Sequence, residues 1–289
     1  MTDERITWLD GGLATELQRG GLPLREPWWT TLALNSEARR TLLRDVHEAY
    51  LASGAEVITA NTFRCNLRAL RRIGLDDAGL AWMVHAAVGV AQAARGTSTA
   101  RVAASMAPVE DCYRPDLVPP DADLRAEHRW LATELMRSGV DLVLVETMNT
   151  AREARIALEQ VQAAGGRAWV SFVCAPDGRL LSGEPLAEAA AAVERDGAEA
   201  VLVNCTAPAD AERALADLRE TCSVPVGVYP NNEDRARGDR SAGPVPQALS
   251  DEEFADLLER WREKYAPDIL GGCCGTTPDH LAAARRRPW

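Results

Sequence analysis

Lysine is almost absent from the 289-residue chain, with Lys264 the single example, and aromatic residues make up only 5% of it. Arginine takes lysine's place, which reflects composition more than function. The shortage of positive charge overall is more informative. A net charge of −11 argues against nucleic acid or an anionic membrane surface as a partner. No run of about 18 apolar residues occurs, so no membrane-spanning helix is expected. No basic segment leading into an apolar stretch precedes the first candidate strand, and a cytoplasmic location is the expectation. A glycine-rich phosphate fingerprint and a Cys-x-x-Cys pair are also missing.

A large core is available: 46% of residues are hydrophobic against 26% charged. Short apolar runs rich in β-formers alternate with helix-period segments eight times, the pattern of repeated βα units. The runs are Ile6 to Leu9, Ala55 to Ala60, Arg101 to Ser105, Val140 to Val145, Arg167 to Val173, Ala198 to Val203, Val224 to Val228 and Ile269 to Gly272. Ser250 with Glu253 forms a capping box before Phe254, Leu257, Leu258 and Trp261, which recur at helical spacing as a core-facing stripe. Polar residues gather after most strands, and a single α/β domain spanning 1–289, a (β/α)8 TIM barrel, is the predicted architecture. Two connections, 109–121 and 231–246, are long enough to serve as lids or substrate contacts at the barrel mouth.

Cysteine is the residue type whose placement points to chemistry. Ile269 and Leu270 lead into Gly271, Gly272, Cys273, Cys274 and Gly275, followed by a helix start at Thr276, Thr277 and Pro278. Neighbouring residues on a regular strand point to opposite faces, so two adjacent thiols share one ion only where the strand bends or ends. The three glycines permit that bend. An open zinc site takes three protein ligands and leaves the fourth position to water or substrate. The best third ligand is Cys205, which also ends an apolar run and precedes a helix. A packed pair, a vicinal disulfide and a metal-free cysteine nucleophile remain alternatives. Cys65, Cys112, Cys174 and Cys222 have no comparable partners, although Cys174 ends a strand and is a candidate for the mouth. The four histidines fall in helical segments and are not expected to bind metal.

Asp10 closes the first strand beside Gly11 and Gly12, either facing a ligand or capping the next helix. Asn61 and Thr62 end the second strand with an amide and a hydroxyl suited to a polar substrate. Glu146 terminates a fully apolar strand, where a carboxylate is expensive to desolvate unless a cation meets it. A ligand α-ammonium fits that requirement, and Arg152 is the protein's own alternative. Trp28 and Trp29 belong either to the core or to a lid, where a π face suits a cationic methyl donor.

With these residues in view, the chain resembles the homocysteine S-methyltransferase family of zinc-dependent thiol methylases. The likeness runs through Asp10 to Leu17, Ala60 to Phe63, Glu146 and Thr147, Val203 to Pro208, Val228 to Asn231 and Gly271 to Pro278, from first strand to last helix. It implies a TIM barrel, Zn2+ on Cys205, Cys273 and Cys274, and an amino-thiol held by Asp10, Gly11, Thr62 and Glu146. It also implies a small-molecule thiol acceptor and a cationic methyl donor as partners, with self-association left open. The implied reaction moves a methyl group from S-methylmethionine or S-adenosylmethionine to homocysteine, giving methionine. Betaine, a methylfolate or corrinoid partner, a different thiol or selenol acceptor, and a non-catalytic zinc-binding role are the alternatives. The sequence departs from the family where Val109, Glu110, Asp111 and Cys112 replace the usual Gly-Pro-Tyr-Gly region, and where Asn232 and Glu233 follow Tyr229, Pro230 and Asn231.

Overall fold

The computed structural model describes residues 6–234, 237 and 243–288. Its strands are β1 (Thr7–Trp8), β2 (Val57–Ala60), β3 (Arg101–Met106), β4 (Leu142–Met148), β5 (Ala168–Phe172), β6 (Ala200–Asn204), β7 (Val226–Tyr229) and β8 (Ile269–Leu270). All pair in parallel, in chain order from β2 to β8, and β8 returns to β1. The ring is completed between β1 and β2. There Leu9 bridges Val57, and the Glu56 N–H donates to the Trp8 carbonyl over 2.8 Å. Closure removes the sheet edges and turns every strand's C-terminal end toward one mouth. This is the (β/α)8 barrel expected from the βα alternation.

The strands hold two apolar layers apart. Val57, Ala103, Leu142, Leu144 and Leu202 point into the barrel, while Ile58, Val102, Val143, Val145, Val201 and Val203 point out against the helices. Successive residues face opposite sides of a strand, so a run buried on both faces must be apolar throughout, as Leu142 to Val145 is.

Six strands are shorter than expected, and the changes in β1 and β8 bear on the mouth. β8 ends at Leu270, and Gly271 then passes so close to the first strand that a Cβ there would lie 2.6 Å from Leu9 Cβ. β1 stops at Trp8, and the Gly272 N–H then donates to the Asp10 carbonyl over 3.0 Å, stitching the two strand ends together. The helix Asp251–Tyr265 carries the capping box at Ser250 and Glu253 and buries the predicted stripe. Pro208 and Pro278 are first helical residues, whereas Pro185 takes the N-cap. Among the described residues no helix is long and apolar enough to cross a membrane. Within the 231–246 connection, residues 235, 236 and 238–242 lie outside the described residues.

Candidate active site

Two strand ends bring three sulfurs together. The Sγ atoms of Cys205, after β6, and of Cys273 and Cys274, after β8, all lie within 4.8 Å of one another, with Cys205 and Cys274 3.9 Å apart. Thiolates on a tetrahedral zinc at ~2.3 Å each stand roughly 3.8 Å from one another, so the cluster has the dimensions of a three-sulfur site. Its donor set, soft and free of carboxylate, suits zinc better than magnesium or calcium.

The local backbone explains how the sulfurs meet. Cys205 adopts φ 52°, a left-handed conformation that costs an ordinary side chain about 1–2 kcal/mol and that breaks the alternation of β6. Gly275 follows the pair at φ 86°, and a Cβ there would lie 2.6 Å from the Asn232 backbone. That close approach belongs to a strap at the start of the 231–246 connection, which was expected to serve as a lid or substrate contact. The Cys273 N–H donates to the Pro230 carbonyl (2.9 Å), the Asn232 N–H to the Cys274 carbonyl (2.7 Å), and Asn231 Nδ2 to the Cys205 carbonyl (2.8 Å). Residues 230–232 therefore fasten the sixth strand end to the eighth. Crowding of the three thiols against one another, with burial, pushes Cys273 well above the ordinary thiol range. A cation at the centre reverses the sign of that interaction.

Two carboxyls stand beside the sulfurs. Asp10 is 5% exposed and accepts from the Thr59 N–H (2.7 Å) and the Thr59 hydroxyl (2.9 Å). It does not cap the following helix, whose N-cap is Gly12. Glu146 is 8% exposed and accepts from the Ser105 hydroxyl, from the Tyr229 hydroxyl (3.2 Å) and from Asn204 Nδ2 (3.4 Å). A register shift in β4 between Val145 and Met148, with Thr147 at φ 57°, aims Glu146 into the barrel. Burial raises both carboxyls to about 7, and their hydrogen bonds only partly offset it. Among the described residues neither has a cationic partner. Arg152, the alternative partner for Glu146, instead donates to Asp121 and the Pro119 carbonyl.

A cavity of about 290 Å³ connects these groups, and Gly11, Asn61, Asp10, Glu146 and the three cysteines are in its wall. Thr62 was expected to face a substrate, but it is fully buried and its hydroxyl donates to the Ser105 carbonyl at 2.7 Å. Its side chain is thus engaged in joining β2 to β3, and Asn61 takes the place at the wall. Cys174 is also absent from the wall, its segment bridging Leu180 in the next loop. Cys112, by contrast, lines the cavity, and Tyr113 places its hydroxyl 3.0 Å from Cys205 Sγ. Both come from the 109–121 connection, where no periodicity or motif marked them. The length of that connection and its departure from Gly-Pro-Tyr-Gly pointed to the segment but not to these residues.

The chain is similar to known proteins over nearly its whole length. A profile for homocysteine S-methyltransferase matches residues 7–287. Homocysteine S-methyltransferase 4 of Zea mays is 30% identical over 304 residues, covering 96% of this chain and 88% of that protein. The selenocysteine Se-methyltransferase of Brassica oleracea var. italica is 27% identical, with 96% and 88% covered. The metallated form of the Escherichia coli homocysteine methyltransferase MmuM superposes with a TM-score of 0.83 at 28% identity, covering 98% of this chain and 96% of that one.

Proposed function

Because the chain belongs to the homocysteine S-methyltransferase family, a methyltransferase acting on a thiol, we propose that it uses zinc and a small sulfonium donor to convert homocysteine to methionine. The observation that carries this reading is the pairing of a three-sulfur cluster with two buried carboxyls that have no cationic partner among the described residues. Glu146 and Asp10 receive the α-ammonium of the acceptor, which supplies the missing counter-charge and keeps both ionised. Gly11 and Gly12 are required by packing, since a Cβ at Gly11 would lie 2.7 Å from the Tyr50 hydroxyl and one at Gly12 2.7 Å from the Cys273 carbonyl, and they seat the backbone beside Asp10 against the cysteine turn.

Cys205, Cys273 and Cys274 hold the metal. Zinc held there would favour ionisation of an incoming thiol near neutral pH; in the balanced reaction the acceptor sulfur takes the methyl carbon and the sulfonium donor departs as a neutral thioether. Four acidic residues and the three metal-binding cysteines in the wall give the cavity an anionic character that attracts a cationic donor. Its size argues for a compact donor: about 290 Å³ lies at the lower end of the roughly 300–1,000 Å³ usual for small-molecule sites. An amino-thiol with S-methylmethionine suits that space better than a nucleoside-bearing sulfonium. A selenol acceptor is a second reading, favoured by the name of the Brassica relative.

A donor screen against homocysteine tests the proposal. S-methylmethionine is expected to support methionine formation at least about tenfold more efficiently than S-adenosylmethionine, betaine or methylfolate, a difference of ~1.4 kcal/mol in transition-state binding. Turnover confined to betaine or methylfolate overturns the sulfonium assignment.

A further inference from the structure

Among the described residues Arg64 is the only basic one in the cavity wall, whose acidic residues are Asp10, Glu26, Asp111 and Glu146. It sits one residue past Phe63, and its guanidinium lies 5.7 Å from the ring centroids of both Trp29 and Phe63. Those rings are themselves 5.6 Å apart and tilted. Trp29 reaches this position at φ 45°, a conformation unfavourable for a bulky side chain, so the aromatic wall is held by the fold at some cost. The aromatic faces expected to attract a cationic donor are therefore already taken by a cation belonging to the protein.

Spaced four residues apart, three arginines show how Arg64 differs from its neighbours. Arg68 pairs with Glu110 at 2.9 Å and also with Glu127, and Arg72 pairs with Glu110 at 3.2 Å. Arg64 forms no ion pair with a carboxylate among the described residues. Its Nη1 donates only to the Glu110 carbonyl oxygen at 3.3 Å, and its Nε is buried with no hydrogen-bond partner. A guanidinium offers five donors in a planar fork matched to a carboxylate, and burial makes an unmet donor costly. The segment that Arg64 touches also carries Tyr113, whose hydroxyl reaches Cys205. Arg64 is thus tied to the loop over the sulfur cluster. The acids assigned to the acceptor's ammonium come instead from the ends of β1 and β4.

We propose that Arg64 binds the carboxylate of the methyl donor and so selects sulfonium donors that carry one over simple sulfonium ions. The arrangement separates the donor's two charges: its sulfonium faces the anionic sulfur cluster, and its carboxylate is drawn to the guanidinium of Arg64. The inference rests on the sulfonium reading above and adds to it the chemical class of the donor's far end.

The test compares S-methylmethionine with its carboxamide, which keeps the sulfonium and ammonium but lacks the negative charge. Binding to the zinc-loaded protein with homocysteine present is followed by calorimetry, and methionine formation is measured in parallel. The native protein is expected to prefer the carboxylate by about 10- to 100-fold, the usual range for a charged hydrogen-bonded pair. Arg64→Gln, which removes the charge and keeps an amide donor on a shorter side chain, is expected to bring that preference close to one, and Arg64→Lys to restore part of it. The homocysteine KM and the zinc content are the readouts that a merely structural role would disturb. An unaltered preference in Arg64→Gln, equal losses for both donors, a raised homocysteine KM, or a native protein indifferent to the carboxylate each overturns the proposal. Carboxylate-dependent binding without methyl transfer supports the Arg64 assignment and counts against the proposed reaction, so the two failures are distinguishable.

Discussion

Cys205→Ser is expected to abolish stoichiometric zinc binding and to lower methyl transfer by about 10³-fold or more. Three thiolates share a binding free energy that in structural zinc sites amounts to roughly 10–16 kcal/mol, so removing one forfeits about 4 kcal/mol, or ~10³-fold in affinity. Serine does not compensate, since its hydroxyl stays protonated and is a poor ligand for a soft site. The loss should be confined to the metal. Cys205 is held by its backbone, through Asn231 on its carbonyl, and the strap at residues 230–232 remains in the variant. Chelator competition and metal analysis on purified protein give the affinity, and Cys174→Ser, altered outside the cavity wall, is the control. Retention of both zinc and turnover by Cys205→Ser removes the three-sulfur account.

Glu146→Gln is expected to weaken homocysteine binding by about 10- to 100-fold while leaving zinc in place, and to make the substrate-free protein more stable in mild alkali. The first effect is the loss of a charge-assisted contact to an ammonium, worth ~1.5–3 kcal/mol. The second follows from the raised carboxyl. Burial lifts Glu146 from 4.5 to about 7, so between those values the folded chain holds a proton that the unfolded chain has released. The contribution to stability is complete below about pH 4.5 and disappears as pH rises through 7; Asp10, also lifted to about 7, acts in the same direction. The glutamine variant escapes its share, at most about 3 kcal/mol, and its thermal midpoint should fall less between about pH 5.5 and about pH 8 than that of the native protein. Homocysteine should restore native stability at the higher pH by pairing its ammonium with the ionised carboxylate. Unchanged homocysteine affinity removes Glu146 from the acceptor site, and loss of zinc makes its role structural.

The parts of this site that can be read in the sequence are those whose chemistry is written in adjacent residues. Cys273 and Cys274 between glycines, and Cys205 at the end of an apolar run, are unusual enough in composition to be picked out, and strand alternation places them at one mouth. Glu146 is legible because a carboxylate after Leu142 to Val145 demands an explanation. What turns it inward is a bulge at Thr147, and nothing in the residue types announces that bulge. Thr62 shows the reverse case: a hydroxyl at a strand end satisfies substrate and backbone equally well in the sequence, and the neighbouring strand claims it. Tyr113 and Arg64 are invisible for a third reason. Loops have no period, and the meaning of Arg64 depends on Arg68 and Arg72 finding carboxylates while it does not. The short β1 and β8 were over-extended by two residues each: β8 into Gly271 and Gly272, where the backbone leaves the strand, and β1 by Ile6 and Leu9, apolar residues that carry no mark of where the strand stops.

X-ray absorption at the zinc edge, recorded on the zinc-loaded protein before and after adding homocysteine, addresses the metal's surroundings without relying on turnover. Three sulfur neighbours and one lighter atom are expected at first, and four sulfurs once the acceptor is bound, each at about 2.3 Å. A sulfur count that stays the same on adding homocysteine, or a zinc ion surrounded mainly by nitrogen and oxygen, contradicts the account.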